Sequence, residues 1–403
     1  MGPDSYLAEL TPAQHRYAAL RVLAGGLLGM MVSMGIGRFV YTPILPLMQR
    51  DLGITNAVAG WLASLNYLGY LAGAIGCSLF PRLLRSGTVN LGALLASIAT
   101  TFLMGATLAP SAWSALRFCS GVASAILFVV ISVEVTEALA RHGYGRWIAT
   151  LYGGVGLGIA VSGSMVPLLD EAGGWRAAWL GMGGLAVALS LAGIALARKR
   201  TLALPVAGSP SAGSGTLGSI RLLAAAYFCE GLGYIVSATF IVAMIARTPG
   251  LESFAPASWV AVGIAAAPST IVWQLTARRI GSRSALVLAH TIQAAGILLS
   301  IRAQSAVVAG LAAVSFGGTF LGIVGLVMAE GNRRTGKDGR RAAAILTAFF
   351  GAGQVIGPPL AGRLADSHGG FALPLLLAAL AVAVGGILIA VDGRFGRPCG
   401  ERQ

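Results

Sequence analysis

The sequence predicts an all-α integral membrane fold, with twelve transmembrane helices in two pseudo-symmetric six-helix bundles, and three observations support this. Hydrophobic residues make up 56% of the chain, charged residues only 10%, and the mean hydropathy is +0.80, outside the range of soluble globular domains. The apolar residues gather into twelve stretches long enough to span a bilayer, since crossing roughly 30 Å of hydrocarbon at 1.5 Å per residue takes about 20 residues. Glycine motifs of the first half also return in the second at a near-constant offset, across a polar segment at mid-chain.

The first stretch, 17–48, holds Gly35, Gly37 and Arg38, then Pro43 and Pro46. Those prolines remove two amide donors, which makes its outer part a loosened helix end rather than a loop. The second, 57–79, carries Asn66, Tyr67 and Tyr70; after 88–108, the fourth, 111–137, has Arg117 near its start and Glu134 and Glu137 near its end. The fifth, 147–169, carries Tyr152 and a glycine series, and the sixth is 175–197. Residues 198–217 mix basic residues with Pro, Ala, Gly and Ser, the composition of a linker. The second half repeats the plan at 218–246, with Glu230 and Tyr234, and at 257–277. It continues at 284–301, with His290 and Gln293 one turn apart, 304–330, 341–363, with Gln354, and 371–391.

The net charge of +14 suggests nucleic acid only until the charges are placed. Lys and Arg concentrate at the termini and after even-numbered spans, as in Arg198, Lys199 and Arg200 after the sixth and Arg333, Arg334, Lys337, Arg340 and Arg341 after the tenth. Under the positive-inside rule both termini are then cytoplasmic, which for a bacterial chain means the inner membrane. Nucleic-acid binding is set aside. The segment with Asp4 and Glu9 leads into an apolar run too long for a signal-peptide core, so no cleaved leader is expected. Cys77, Cys119 and Cys229 fall in spans and Cys399 near the C-terminus, a pattern that predicts neither a disulfide nor a metal site.

Gly35-Ile-Gly37 returns as Gly231-Leu-Gly233, and Gly154, Gly158 and Gly163 return with identical spacing as Gly353, Gly357 and Gly362. Each triplet leads to an acidic turn, Asp170-Glu-Ala-Gly-Gly-Trp175 in one half and Asp366-Ser-His-Gly-Gly-Phe371 in the other. Glycines three or four residues apart clear one helix face, so two backbones can approach and slide. The domain plan is therefore a bundle at 1–197, a cytoplasmic linker at 198–217 and a second bundle at 218–403. Parallel repeats of this kind, with solute bound between the halves, form a transporter architecture.

The segments Gly35-Ile-Gly-Arg-Phe-Val-Tyr-Thr-Pro-Ile-Leu-Pro-Leu-Met48 and Tyr227-Phe-Cys-Glu-Gly-Leu-Gly-Tyr-Ile-Val-Ser-Ala-Thr-Phe240 resemble the major facilitator superfamily, in its YbfB/YjiJ-type branch. The likeness covers nearly the whole chain. Arg117-Phe-Cys-Ser-Gly121-Val-Ala-Ser-Ala125 is similar to the superfamily's Arg-x-x-x-Gly-x-x-x-Ala pattern, which implies proton coupling, and Gly353-Gln-Val-Ile-Gly-Pro-Pro-Leu-Ala-Gly362 to its helix-bending Gly-Pro pattern. The resemblance also implies that the first and fourth helices line a central cavity. Two departures stand out: Phe80-Pro-Arg-Leu-Leu-Arg-Ser-Gly87 lacks the aspartate usual in the turn after the second span, and the fifth span lacks the exporters' proline after Gly158.

Arg38 and Arg117 lie well inside predicted spans, where a cation costs at least about 2.5 kcal/mol and needs a partner or a wet cavity. Both fall in the outer half of the bilayer. Glu230 lies deep in the seventh span, where a carboxylate needs a cation or a proton, which suits a proton carrier. At the repeat offset Arg38 corresponds to Tyr234 and Glu230 to Met34, so the expectation is that Arg38 on one wall faces Glu230 on the other. The expected substrate contacts are Arg38, Tyr41, Asn66, Tyr67, Arg117, Tyr152, Tyr234 and Gln354, with Glu230 and Arg117 coupling protons. The expected hinges are Gly35, Gly37, Pro43, Pro46, Gly154, Gly158, Gly353, Gly357 and Pro358.

The leading reading is a proton-coupled secondary transporter of a small organic anion, monomeric, with the bilayer, protons and the solute as its partners and no cofactor. An exporter of hydrophobic or cationic compounds is the alternative. An enzyme is not expected, because no His-Glu-x-x-His, Gly-x-Ser-x-Gly or paired aspartates in adjacent spans are present.

Overall fold

The computed structural model describes residues 11–197, 217–336 and 339–393. Asp4, Glu9, nearly all of the linker, Lys337 and Cys399 lie outside the described residues.

Among the described residues, eleven continuous helical stretches are long and apolar enough to cross a membrane. They are Pro12–Leu52, Asn56–Leu79, Gly87–Ala106, Pro110–Arg141, Gly145–Leu196, Arg221–Ala246, Glu252–Ile280, Ser282–Ile301, Ala306–Thr335, Arg341–Ser367 and Ala372–Val391. Gly145–Leu196 runs for 52 residues, about twice a single crossing, and its helix breaks at Gly173 and Gly174. Gly174 sits at φ 68°, which glycine reaches without steric cost. Its two limbs are the fifth and sixth spans, so the path crosses twelve times. Every crossing lies within a few residues of its sequence-derived position.

The first span is not a uniform helix. Regular helix over Pro12–Met30 gives way to a wider π-helical turn over Met31–Ile36, and regular helix resumes at Tyr41–Leu52. Gly37 N–H bonds the Val32 carbonyl at 2.9 Å and Phe39 N–H the Met34 carbonyl at 3.0 Å, both five residues back. Just beyond it, Pro43 has no N–H to offer the Phe39 carbonyl, and Thr42 N–H serves it instead, at 3.1 Å. Arg38 therefore stands on an interrupted stretch of backbone, as the two prolines suggest.

Glycines set the distances between helices, and the repeat assigns them matching roles. Gly154 and Gly158 press on Leu27, Met31 and Gly35 of the first span, whereas Gly353 and Gly357 press on Phe228, Leu232 and Ile235 of the seventh. The third glycine of each triplet faces the opposite half: Gly163 meets Pro256 and Val260, and Gly362 meets Asn56 and Ala57. The halves thus meet along second-to-eleventh and fifth-to-eighth seams, with Gly60 against the Pro358 carbonyl and Gly156 against Ala267. Thr42 Oγ1 donates to the Ala238 carbonyl at 2.6 Å, and these two residues are equivalent in the repeat. The pseudo-twofold axis passes between them.

One placement differs from the sequence reading. Arg334 is not a loop charge: the tenth span continues to Thr335, and the buried Arg334 guanidinium binds Glu330 at 2.6 Å and Asp392 at 2.6 Å, tying the tenth span to the residue that ends the twelfth. The extra turn of helix aims it inward.

A Cβ at Gly35 would lie 2.5 Å from the Gly158 Cα. Gly35→Leu should therefore cost about 1–3 kcal/mol or more of stability, read as a lower melting temperature of the purified protein. Gly92→Ala, which meets open space, should leave that temperature unchanged or raise it.

Candidate functional site

Arg38 is 3% exposed, yet among the described residues no carboxylate pairs with it. Its guanidinium lies over the rings of Tyr70 at 4.4 Å and Tyr67 at 4.8 Å, with Phe39 at 5.5 Å. A cation–π contact out of water is worth about 2 kcal/mol, so two or three rings are enough to offset the roughly 2.5–3.5 kcal/mol cost of burying the charge. The rings engage its face and leave the edge. Nε and Nη2, the pair of donors that can grip a carboxylate in parallel, are buried without a hydrogen-bond partner.

Arg117 repeats the arrangement more weakly. It is 1% exposed, lies over the Tyr41 ring at 4.6 Å, and its Nε donates to the Leu62 carbonyl at 3.4 Å while Nη2 has no partner. Tyr41 is fixed in turn by its hydroxyl, which donates to the Ala59 carbonyl at 3.1 Å. Asn66 plays a more structural part, since its amide donates to the Arg117 carbonyl at 3.1 Å and joins the second and fourth spans. Tyr152 packs on Phe128, 5.9 Å between centroids, and Phe128 on Tyr70 at 6.4 Å, so Tyr152 backs the cluster from behind.

The facing wall belongs to the second half. Tyr234 stacks nearly parallel with Phe350 at 5.3 Å, Phe320 at 5.9 Å and Phe316 at 6.3 Å, and its hydroxyl accepts a hydrogen bond from the Gln354 amide. Phe39 reaches across to Phe320 at 6.2 Å and Trp259 at 6.4 Å. Tyr67 and Thr239 hydroxyls meet across the halves at 3.3 Å. The structure thus brings Arg38, Tyr41, Tyr67, Arg117, Tyr234 and Gln354 together around the junction of the two halves. Phe316, Phe320 and Phe350 complete the wall; sequence reading passed over them because an apolar aromatic in a span carries no sign of which way it faces.

Glu230 does not face Arg38. Its Oε1 accepts from the Gln293 amide at 2.7 Å and its Oε2 lies 3.8 Å from His290 Nε2, with both partners on the ninth span. The expectation of an Arg38–Glu230 pair across the two walls fails because Glu230 points away from the junction, into its own half. The ninth span, which carries His290 and Gln293 one turn apart, supplies both groups.

Backbone carbonyls freed by proline join the halves elsewhere. Pro359 has no N–H for the Val355 carbonyl, which instead accepts from Ser64 Oγ at 2.6 Å, second span to eleventh. At the face bearing the acidic turns, the Asp366 carboxylate crosses to the first turn of the second span. It accepts from Asn56 N–H at 3.1 Å, Ala57 N–H at 2.8 Å and the Asn56 amide at 2.8 Å, an anion at a helix N-terminus. Arg247 and Gln49 both donate to Asn56 Oδ1. Its repeat partner Asp170 takes Arg50 instead, at 2.8 and 3.0 Å within one half. An open cleft of about 480 Å³ lies beside these contacts, lined among others by Pro43, Pro46, Arg50, Asp170 and Arg247.

Residues 30–390 match the family described as "Uncharacterised MFS-type transporter YbfB". The chain belongs to this major facilitator family. A relative described as "Uncharacterized MFS-type transporter YceJ", from Bacillus subtilis (strain 168), is 30% identical over 137 residues, a match covering 33% of this chain and 35% of that protein. The match thus spans about a third of that relative. Crystal structures of the nucleoside transporter NupG share the fold: a point mutant of NupG superposes with a TM-score of 0.70 at 13% identity over 94% of this chain and 100% of that one. A second NupG structure gives 0.67 at 14% identity over 94% and 99%. The chain is a multi-pass membrane protein of a transporter family.

Asp366→Ala removes three hydrogen bonds between the halves. In a cysteine-free background, Leu47→Cys in the adjoining cleft should react several-fold faster with a water-soluble maleimide when Asp366→Ala is added. An unchanged rate would mean that the carboxylate does not hold the face shut.

Proposed function

We propose that this secondary transporter carries a small organic anion by alternating access, with co-movement of protons, acting as a monomer in the bacterial inner membrane with both termini cytoplasmic. The observation that carries the anionic reading is the Nε/Nη2 edge of Arg38, buried and without a partner. A guanidinium whose charge is balanced by ring faces keeps its bidentate edge for a carboxylate brought in by the solute. Arg117 adds a second unpartnered donor in the same region, so a solute with more than one acidic or polar group is favoured over one with a single acceptor.

The mechanism follows from where the halves touch. The solute sits between the Arg38–Tyr67–Tyr70 cluster and the Tyr234 wall. Release of Asp366 from the second span allows the acidic face to open, and the glycine-lined seams give the backbones room to slide. The interrupted backbone around Gly37 and Pro43, with Gly35, Pro46, Gly154, Gly158, Gly353, Gly357 and Pro358, is where bending costs least, since few regular hydrogen bonds need to break there. With the basic connections inside, the acidic face is the extracytoplasmic one, and the protein rests closed to the outside.

A second reading, export of hydrophobic or cationic compounds, is favoured by one feature: the four-ring wall of Tyr234, Phe316, Phe320 and Phe350 suits a flat apolar solute. Two guanidiniums held by ring faces rather than by carboxylates lie beside it and oppose a cation. The NupG fold likeness is compatible with either solute class, because likeness at this identity speaks to the fold alone.

Counterflow in proteoliposomes tests this reading, using labelled mono- and dicarboxylates, nucleosides and organic cations. At least one carboxylate should exchange. Arg38→Gln should weaken it by tenfold or more, given about 2–5 kcal/mol for truncating one side of a buried charged contact. Arg38→Lys, which keeps charge but not the paired edge, should recover only part. Exchange of cations alone would replace this reading with the exporter.

A further inference from the structure

The buried polar cluster inside the second half has no counterpart in the first: Met34 stands where Glu230 has its repeat equivalent. We infer that Glu230 and His290 form a one-proton binding site, with the proton seated between Glu230 Oε2 and His290 Nε2. Its use in transport rests on the proposed coupling; the site itself does not.

The hydrogen-bond directions assign the proton. His290 Nδ1 lies 2.8 Å from the Leu286 carbonyl, and a carbonyl can only accept, so Nδ1 carries its hydrogen. Nε2 of the neutral ring is then a lone pair, 3.8 Å from Oε2 of Glu230, a gap that a shared proton would close by about 1 Å. Both atoms are buried without another partner. On the other side, Gln293 donates its amide hydrogen to Oε1 at 2.7 Å, while its own carbonyl accepts from Thr319 Oγ1 at 2.9 Å. The Thr319 hydroxyl shares its one hydrogen with the Ser315 carbonyl at 2.7 Å and the Phe316 carbonyl at 3.0 Å, and with the Gln293 amide donating, Oε1 is an acceptor. An ionised Glu230 against a neutral His290 would leave two lone pairs and a full negative charge facing each other out of water. One proton resolves this, carried on Oε2 as an acid that faces Nε2, which leaves the buried pair without net charge.

Among the described residues the surroundings supply no other charge. From the ninth span come His290 and Gln293 and from the tenth Thr319, whereas the eleventh offers Phe350 and the neutral Gln354. The twelfth offers Gly385 and Gly386, whose missing side chains make room for the imidazole: a Cβ on Gly385 would lie 3.4 Å from Nε2. On the seventh span itself stand Tyr227, Cys229 and Tyr234. The two tyrosines are within electrostatic reach of both Glu230 and Arg38, and so link the proton site to the proposed anion site without merging them.

Infrared difference spectroscopy of the purified, solute-free protein against pH tests the site independently of transport. The wild type should show a carboxylic-acid carbonyl band that titrates and is absent in Glu230→Gln. In His290→Leu the band should move to higher wavenumber, because the acid hydroxyl loses its acceptor, and its pH midpoint should shift by about one unit or more. His290→Gln, which restores an acceptor near the Nε2 position, should bring the band back towards its wild-type place; a folded His290→Gln also guards against the leucine variant failing to fold. A titrating band that survives Glu230→Gln, the lack of any such band in the wild type, or a band and midpoint unmoved in His290→Leu overturns the proposal. If the site titrates as stated but counterflow is indifferent to a pH gradient, the proton site stands and the coupling reading falls.

Discussion

A full positive charge placed in the apolar interior without a carboxylate is the constraint around which this protein is arranged. Arg38 has to be stabilised by something, and the structure uses aromatic faces to do it, which balances the charge yet leaves the donors of the guanidinium edge unused. The remaining features support that choice. The backbone beneath Arg38 is loosened by Pro43 and Pro46, Gly37 lets the fourth span approach within reach of its serines, and Tyr67 and Tyr70 arrive from the second span at helical spacing. Had a glutamate stood nearby, the pair would have satisfied itself and left nothing for a solute.

The repeat supplies the frame in which the two halves differ. Equivalent glycines do equivalent work, two of each triplet packing within a half and the third between halves, so the skeleton is symmetric. The chemistry is not. One half holds the guanidiniums; the other holds the carboxylate, turned inward to the ninth span and away from the junction. At the acidic face the paired aspartates also diverge, because Asp170 finds Arg50 in its own half while Asp366 crosses to the amides of Asn56 and Ala57. Across the pseudo-axis, Pro256 near the start of the eighth span lacks the N–H that Ala57 offers at the second, so a matching cap by Asp170 has one donor fewer.

Much of the fold was legible in the sequence because the bilayer imposes it: helix lengths, the break at Gly173 and Gly174, the interruption at Pro43 and the pairing of glycine triplets follow from composition, spacing and the chemistry of proline and glycine. The burial of Arg38, Arg117 and Glu230 inside their helices was legible for the same reason. Their partners were not. Whether Glu230 turns to Arg38 or to His290 depends on the rotation of the seventh helix against the ninth, which the near-uniform hydrophobicity of that helix does not encode. The crossing of Asp366 to Asn56 joins residues 310 apart, and the turn motif that contains Asp366 says nothing of what lies opposite. Phe316, Phe320 and Phe350 escaped notice because in a membrane helix a lipid-facing ring and a cavity-lining ring are the same letter.

An unpaired buried guanidinium, a separate carboxylate–imidazole pair and an acidic face latched across the halves support the proposed device, in which an anion and a proton would each have a place and one boundary would open between them. The most direct test of its centre is nitrogen NMR of arginine-labelled protein in lipid, with the Arg38 Nε resonance assigned by its loss in Arg38→Lys and followed during titration with organic carboxylates. The account predicts a saturable shift of that resonance with a carboxylate and none with an amine of similar size. A resonance that ignores every carboxylate, or already bears the signature of a carboxylate contact before any is added, would contradict it.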